Sequence, residues 1–160
     1  MTAVPHFMTD EFGWISDDQP QDASHPKLLT RSEANALLPT IKPLIAHLQA
    51  LHRAILVVDQ QLEATAPQRS VGNGHALHDE AQQRHTLTQR RQSLIDDVVS
   101  SIRQLERHGA VLKDIEQGLV DFYALHEAQV VCLCWKDGED RVRFWHTLEA
   151  GYPGRQPVDT

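Results

Sequence analysis

Between Ala34 and Leu62, apolar residues recur at spacings of three and four in strict alternation: Ala34, Leu37, Ile41, Leu44, Leu48, Leu51, Ile55, Val58 and Leu62. This is the seam of a long, coiled-coil-like helix, and a helix with such a seam needs something to lie against it. Ile45 and Leu56 widen the stripe beyond the needs of one partner. The helix start is also written in the chain. Thr30 followed by Glu33 fits a capping box, in which the hydroxyl and the carboxylate each satisfy an orphan backbone N–H. Pro39 is expected to interrupt the first turns, or to restart the helix at a first-turn position.

The stretch APQRSVGNGHA, with one proline and two glycines, marks a turn or loop. A second helix is expected over roughly residues 76–108, with Leu87, Leu94, Ile95, Val98, Ile102 and Leu105 as its apolar positions and Gly109 at its C-terminal cap. Its first half is polar almost all round. The two helices read as an antiparallel hairpin with arms about 40 Å long at 1.5 Å per residue. After Gly109 the period changes. AVLKD, LVDFY, QVVCLCW and RVRFWHTL are short β-branched or aromatic runs separated by turn residues, and Asp137-Gly138 is a hairpin signal between the last two. The fold class is therefore α+β: a long antiparallel helical hairpin over residues 27–108, then a small antiparallel sheet with a C-terminal loop over 109–160, in one domain.

Charge is placed unevenly. Residues 1–26 hold five acidic residues and no Lys or Arg, and read as a disordered acidic arm in which Phe7, Met8, Phe12 and Trp14 stand out. The remaining body carries fifteen basic and seventeen acidic residues, near neutrality, which argues against nucleic acid as a partner. Arginines 84, 90, 91, 103 and 107 alternate with Glu80, Asp96, Asp97 and Glu106, the pattern of a solvated helix face. No uninterrupted apolar run approaches the roughly 20 residues that span a bilayer, and the N-terminus lacks the basic and apolar regions of a signal peptide. Cys132 and Cys134 lie one residue apart, too far to bridge along a flat strand. A reducing cytoplasm is the expected location.

From Gly109 onward the chain resembles the uncharacterised domain-of-unknown-function family 2203. The residues that carry the resemblance are Gly109, Lys113-Asp114, Gly118 to Phe122, Leu133 to Trp135, Gly138-Glu139, Trp145-His146, Gly151 and Gly154 to Pro157. The opening EANALLPTIKPL and the loop GNG are similar as well. Tyr123 departs from the proline common there, and Cys132 lies outside the motif. The resemblance implies an α+β domain of bacterial origin and implies no reaction.

Reactive side chains gather in Val130 to Pro157, which holds both cysteines, two of the three tryptophans, His146 and three arginines. What they can do depends on the last hairpin's register. A tight two-residue turn at Asp137-Gly138 pairs Leu133 with Val142 and puts His146 on the face opposite both cysteines. A three-residue turn shifts the pairing by one and brings His146 to Cys132, Cys134, Val142 and Phe144. The leading reading is a site for a small anionic or aromatic ligand, or a protein partner. Lys113 and Arg155 would hold an anion, Trp135 and Trp145 would form flat walls, and Asp114, Asp121 and His146 would orient polar groups. Against that stands an Arg155 that pairs with Asp121 or Glu139 and merely ties the loop down.

The alternative is a metal site, zinc or another divalent ion, with Cys134, His146 and a carboxylate from Asp114, Asp121 or Glu139 as ligands. The chain has no C-x-x-C, H-x-x-x-H or H-E-x-x-H to strengthen it. A nucleophilic Cys134 with His146 as base is a further enzyme reading and requires an exposed sulfur of lowered pKa. His75, His78 and His85 read as exposed residues of a polar helix, and His47 and His52 lie off the seam. A last expectation is a homodimer: the first helix carries more apolar surface than the second can cover, and twofold pairing into a four-helix bundle would bury roughly 1,200 Å² or more.

Overall fold

The computed structural model of the chain describes residues 26–65 and 74–158. The acidic arm with Phe7, Met8, Phe12 and Trp14, and most of the Gly-rich loop, lie outside them. Helices α1 (Arg31–Ala64) and α2 (Gly74–Arg107) have 34 residues each, about 51 Å of helix at 1.5 Å per residue and so longer than the spacing suggested. Thr30 caps α1 as expected: its hydroxyl accepts the Glu33 N–H at 3.2 Å, and the Glu33 carboxylate accepts the Thr30 N–H at 2.8 Å. That second bond holds the Glu33 carboxyl below its ordinary value. Neither Pro39 nor Pro43 breaks α1. Both lie on the exposed side, where water can reach the carbonyls of Asn35 and Pro39 that lose their donors.

The buried residues of α1 are Ala34, Leu38, Ile41, Ile45, Leu48, Leu51, His52, Ile55 and Val58. The stripe is wider than the alternating seam, with Leu38 and Ile45 fully buried and Leu37 and Leu44 half-buried. The reason is a second partner: α1 lies against α2 and also, over its first half, against the sheet. Leu48, Leu51 and Ile55 are thus covered by their own chain, while Leu44 is half-buried. What α1 leaves open is Leu56, 41% exposed, and Val57, 52% exposed. One window of 18 residues in α1 has a mean hydropathy of 1.3, enough to cross a membrane by length and composition alone. In this fold its apolar side is the core side.

Gly109, at φ +84°, turns the chain out of α2 into five strands: β1 (Ala110–Asp114), β2 (Leu119–His126), β3 (Gln129–Lys136), β4 (Phe144–Thr147) and β5 (Gln156–Pro157). They form an antiparallel meander in sequence order. Alternation gives the sheet two unlike faces. The inner face, with Ala110, Val120, Phe122, Ala124, Val131, Leu133 and Trp135, closes one continuous core with Ala34 to Ile45 of α1 and Leu105 of α2.

Neither register expected for the last hairpin is the one observed. The Asp137-Gly138 turn does form: Gly138 has φ +96° and Glu139 donates its N–H to the Lys136 carbonyl at 3.0 Å. The chain then swings away and pairs again only at Phe144, giving Cys132↔His146 and Cys134↔Phe144. Val142 is the cause. Its side chain is fully buried in the core, and its N–H is taken by the side-chain oxygen of Asn35 on α1 at 2.7 Å. A residue held there cannot lie in the ladder with β3.

Candidate metal centre on the outer face of the sheet

The outer face carries the polar chemistry. The β2–β3 ladder sets Asp121 opposite Cys134 and Tyr123 opposite Cys132, and the β3–β4 ladder sets His146 opposite Cys132. Directly opposed residues of an antiparallel pair have Cβ atoms about 4.5–5.5 Å apart, so one patch collects a carboxylate, two thiols and an imidazole. Asp121 is 2% exposed, Cys134 0% and His146 3%. One ligand atom from each of these three lies within 4.8 Å of the others.

His146 is fixed from both sides. Its Nδ1 stands 2.9 Å from the Thr147 carbonyl, an acceptor only, so Nδ1 carries a proton and donates it. Its Nε2 lies 3.2 Å from Asp121 Oδ1 and 3.1 Å from Oδ2. A hydrogen bond there needs one more proton, shared between ring and carboxyl. Burial raises the Asp121 carboxyl above its ordinary value, while the neighbouring His146 and Lys113 oppose that shift. Both thiols are pushed up to about 12, first by burial and then by the Asp121 carboxylate. A nucleophilic Cys134 is thereby corrected, because burial moves the thiol in the wrong direction and covers the sulfur.

The C-terminal segment roofs the patch. Arg155 stacks on the rings of Phe144 at 4.1 Å and Tyr152 at 4.5 Å. Its guanidinium donates to Glu139 Oε1 at 2.9 Å, and its charge lies near enough to Cys134 to favour the thiolate. Glu139 is fully engaged in this role: its other carboxylate oxygen accepts the Lys136 N–H at 3.0 Å, and its backbone carbonyl accepts Trp135 Nε1 at 3.0 Å. Glu139 is therefore a support for Arg155 and the loop rather than a ligand in the cluster. Arg155 pairs with it as the loop-tying reading supposed.

The residues expected to share one ligand pocket are divided by the sheet. Trp135 is fully buried on the inner face, in the core, with Lys42 5.9 Å from its ring centre. Trp145 is also on the inner face, 4.5 Å from the His126 ring. Arg155 is on the outer face, and Lys113 is near enough to Asp121 to favour its charged form. Asp114 accepts the Gln117 N–H at 2.9 Å and its side-chain amide at 3.0 Å, closing the β1–β2 turn. A single pocket lined by Lys113, Trp135, Trp145 and Arg155 does not form, because the two tryptophans sit at odd positions of β3 and β4 while the cysteines and His146 sit at even ones.

Residue-type reasoning paired Cys134 with His146 and left open which carboxylate joined them; the ladder makes it Asp121. Cys132, outside the family motif, is directly opposite His146, a neighbour visible only once the register is known. His52, set aside as off the seam, is buried. His78 and His85 are exposed, as the polar helix suggested. Arg84 and Arg91 do more than face water: they bind the Leu62 carbonyl at 2.9 Å and the Asp59 carboxylate at 2.6 Å, tying the helices together.

A helical hairpin closed on one side by a five-stranded antiparallel meander, with a buried Asp–Cys–His group on the sheet's far face, defines an α+β protein with a candidate metal centre. Residues 27–158 match the family model of the uncharacterized conserved protein DUF2203, and the chain belongs to that family. Neither a curated protein nor a solved structure matches it.

Proposed function

We propose that this chain binds a divalent metal ion, zinc or a zinc-like ion, through Asp121, Cys134 and His146. The observation that carries the reading is the convergence of three different ligand types, all buried, within 4.8 Å of one another. Carboxylate oxygen, thiolate sulfur and imidazole nitrogen suit zinc, with bonds of about 2.0–2.3 Å, which would set the ligand atoms roughly 3.3–3.8 Å apart in a tetrahedron. Modest side-chain movement closes the remaining gap. The support around the ligands has the form metal sites use. The Nδ1–H of His146 is tied to a backbone carbonyl, leaving Nε2 to face the ion, and the nearby charge of Arg155 favours the Cys134 thiolate. The ion would displace the Cys134 thiol proton and the proton shared by Asp121 and His146. Three protein ligands leave a fourth position for water or substrate. The small-ligand reading loses its pocket, since its residues lie on two faces.

The test is elemental analysis of protein purified without a histidine tag, followed by cobalt(II) titration of chelator-treated protein. One ion per chain and a thiolate-to-cobalt absorption band are expected. Cys134→Ser should abolish the band, His146→Ala should weaken binding, and Cys132→Ser should leave both in place. Wild-type protein that carries no ion and gives no cobalt band overturns the reading.

A further inference from the structure

On the inner face, beyond the start of α1, the sheet runs past the helices and leaves a groove of about 620 Å³. Its floor is Val131, Leu133 and Trp145, and one wall is Leu28 and Leu29, the residues that lead into α1. Leu28 is 43% exposed in this wall. Leu29 donates its N–H to the Tyr123 carbonyl at 2.7 Å, so the chain enters the fold alongside β2, at the lip of the groove. We propose that the groove is the docking site for the chain's own N-terminal segment, residues 1–25, with Phe7, Met8, Phe12 and Trp14 as its anchoring side chains.

Three observations favour this occupant. The first is connection: residues 1–25 lead into the described structure at Pro26, two residues before the groove wall at Leu28. The second is reach. Thirteen residues lie between Trp14 and Leu28, which at about 3.3–3.6 Å per extended residue allows a span of up to about 50 Å. The third is composition. The segment has five acidic residues and no Lys or Arg, while Arg31 lines the groove and Lys27 adjoins it in sequence. Four large apolar residues in an acidic segment match a largely apolar groove whose lining includes Arg31, and the large flat area of Trp14 suits the aromatic floor at Trp145. The inference uses other residues than the metal centre and stands or falls apart from it.

Chymotrypsin reads the docking directly, because its cleavage sites in the segment are the proposed anchors. Cleavage after Phe7, Phe12 and Trp14 is followed by mass spectrometry in the full chain and in a free peptide of residues 1–25. Docking predicts cleavage in the full chain at least about tenfold slower than in the peptide, since the protease acts on the open fraction. Phe12→Ala/Trp14→Ala should release the protection at Phe7, and Leu28→Glu should release it at all three sites. The first variant changes none of the described residues, so the test holds even if Leu28→Glu disturbs folding. Cleavage at the free-peptide rate overturns the proposal. Protection that grows with protein concentration assigns the groove to the segment of a second copy and overturns the intramolecular form. Protection untouched by either variant places the segment elsewhere and overturns it too.

Discussion

The thiols of the metal-free protein should resist alkylation, and the margin can be worked out. Burial, and then the Asp121 carboxylate, raises Cys132 and Cys134 from 9.0 to about 12. At pH 8 that lowers the thiolate fraction about a thousandfold. Part of the loss returns, because a more basic thiolate is a better nucleophile: with a Brønsted slope of about 0.4–0.5, the same change makes each thiolate roughly 15- to 30-fold more reactive. Ionisation alone therefore leaves the native thiols about 30- to 60-fold slower than exposed ones. Their burial, at 2% and 0% exposure, adds to this, because reagent must wait for an opening. The assay is iodoacetamide labelling of chelator-treated protein, counted by mass spectrometry, against the same protein in denaturant. Ionisation also sets the pH profile: the native rate should climb about tenfold per pH unit up to pH 11, where exposed thiols level off near 9. Asp121→Asn removes only the second cause and should accelerate labelling less than tenfold. Labelling of either cysteine within about fivefold of the denatured control, or a plateau near pH 9, refutes the argument.

Asn35→Ala leaves the buried Val142 N–H without its acceptor and should cost about 1–3 kcal/mol in urea unfolding; a loss below about 0.5 kcal/mol means that Asn35 does not hold this loop. Ala128, at φ +63° in the β2–β3 turn, is strained, and Ala128→Gly should stabilise by about 1 kcal/mol, with no gain counting against the strain. The Asp121 carboxyl is raised from 3.8, so the stability it lends is complete below 3.8 and is lost as pH rises through its folded value. Asp121→Asn in the metal-free protein should therefore gain on the wild type between acid and neutral pH, and parallel curves would refute the shift. We propose twofold association through the exposed Leu56 and Val57 of α1; light scattering should give twice 18.1 kDa, falling to that mass in Leu56→Glu/Val57→Glu, and a wild-type mass of 18.1 kDa refutes it.

Much of the architecture was legible because it depends on local chemistry. The spacing from Ala34 to Leu62 announced α1, Thr30 and Glu33 announced its first turn, and Gly109 announced the change of period. What escaped depends on contacts between distant segments. Pro39 reads as a helix breaker, yet α1 continues because Ala34, Leu38 and Ile41 are held by the sheet on the side away from the proline. The β2–β3 turn was silent because Glu127 and Ala128 adopt left-handed conformations that the residue types do not favour. In the site, residue chemistry pointed to Cys134 and His146, and Asp121 was one of three candidate carboxylates. Glu139 is nearer in sequence to Cys134 than Asp121 is. It is excluded only by its bonds to Arg155 and the Lys136 N–H, which no spacing displays.

Whether Cys134 and His146 can meet is settled by counting residues between two strands. A strand displaced by one position turns every side chain to the other face, so an odd slip of β4 would send His146 into the core and Trp145 out among the thiols. A two-residue turn at Asp137-Gly138 would place His146 on the inner face. The observed pairing differs from that by three positions, an odd number, and His146 lies beside Cys132 and Asp121 instead. The extra chain is taken up by residues 139–143, and the point that fixes it is Val142, inserted into the core and hydrogen-bonded to Asn35 of α1 at 2.7 Å. The helical hairpin thus does more than fill one side of the sheet. Through a single side-chain oxygen near the start of α1, it selects the strand register that puts an imidazole, a thiol and a carboxylate on one face. Loosening that contact, as in Asn35→Ala, should weaken cobalt(II) binding at the candidate centre from the opposite side of the sheet, with no candidate ligand altered.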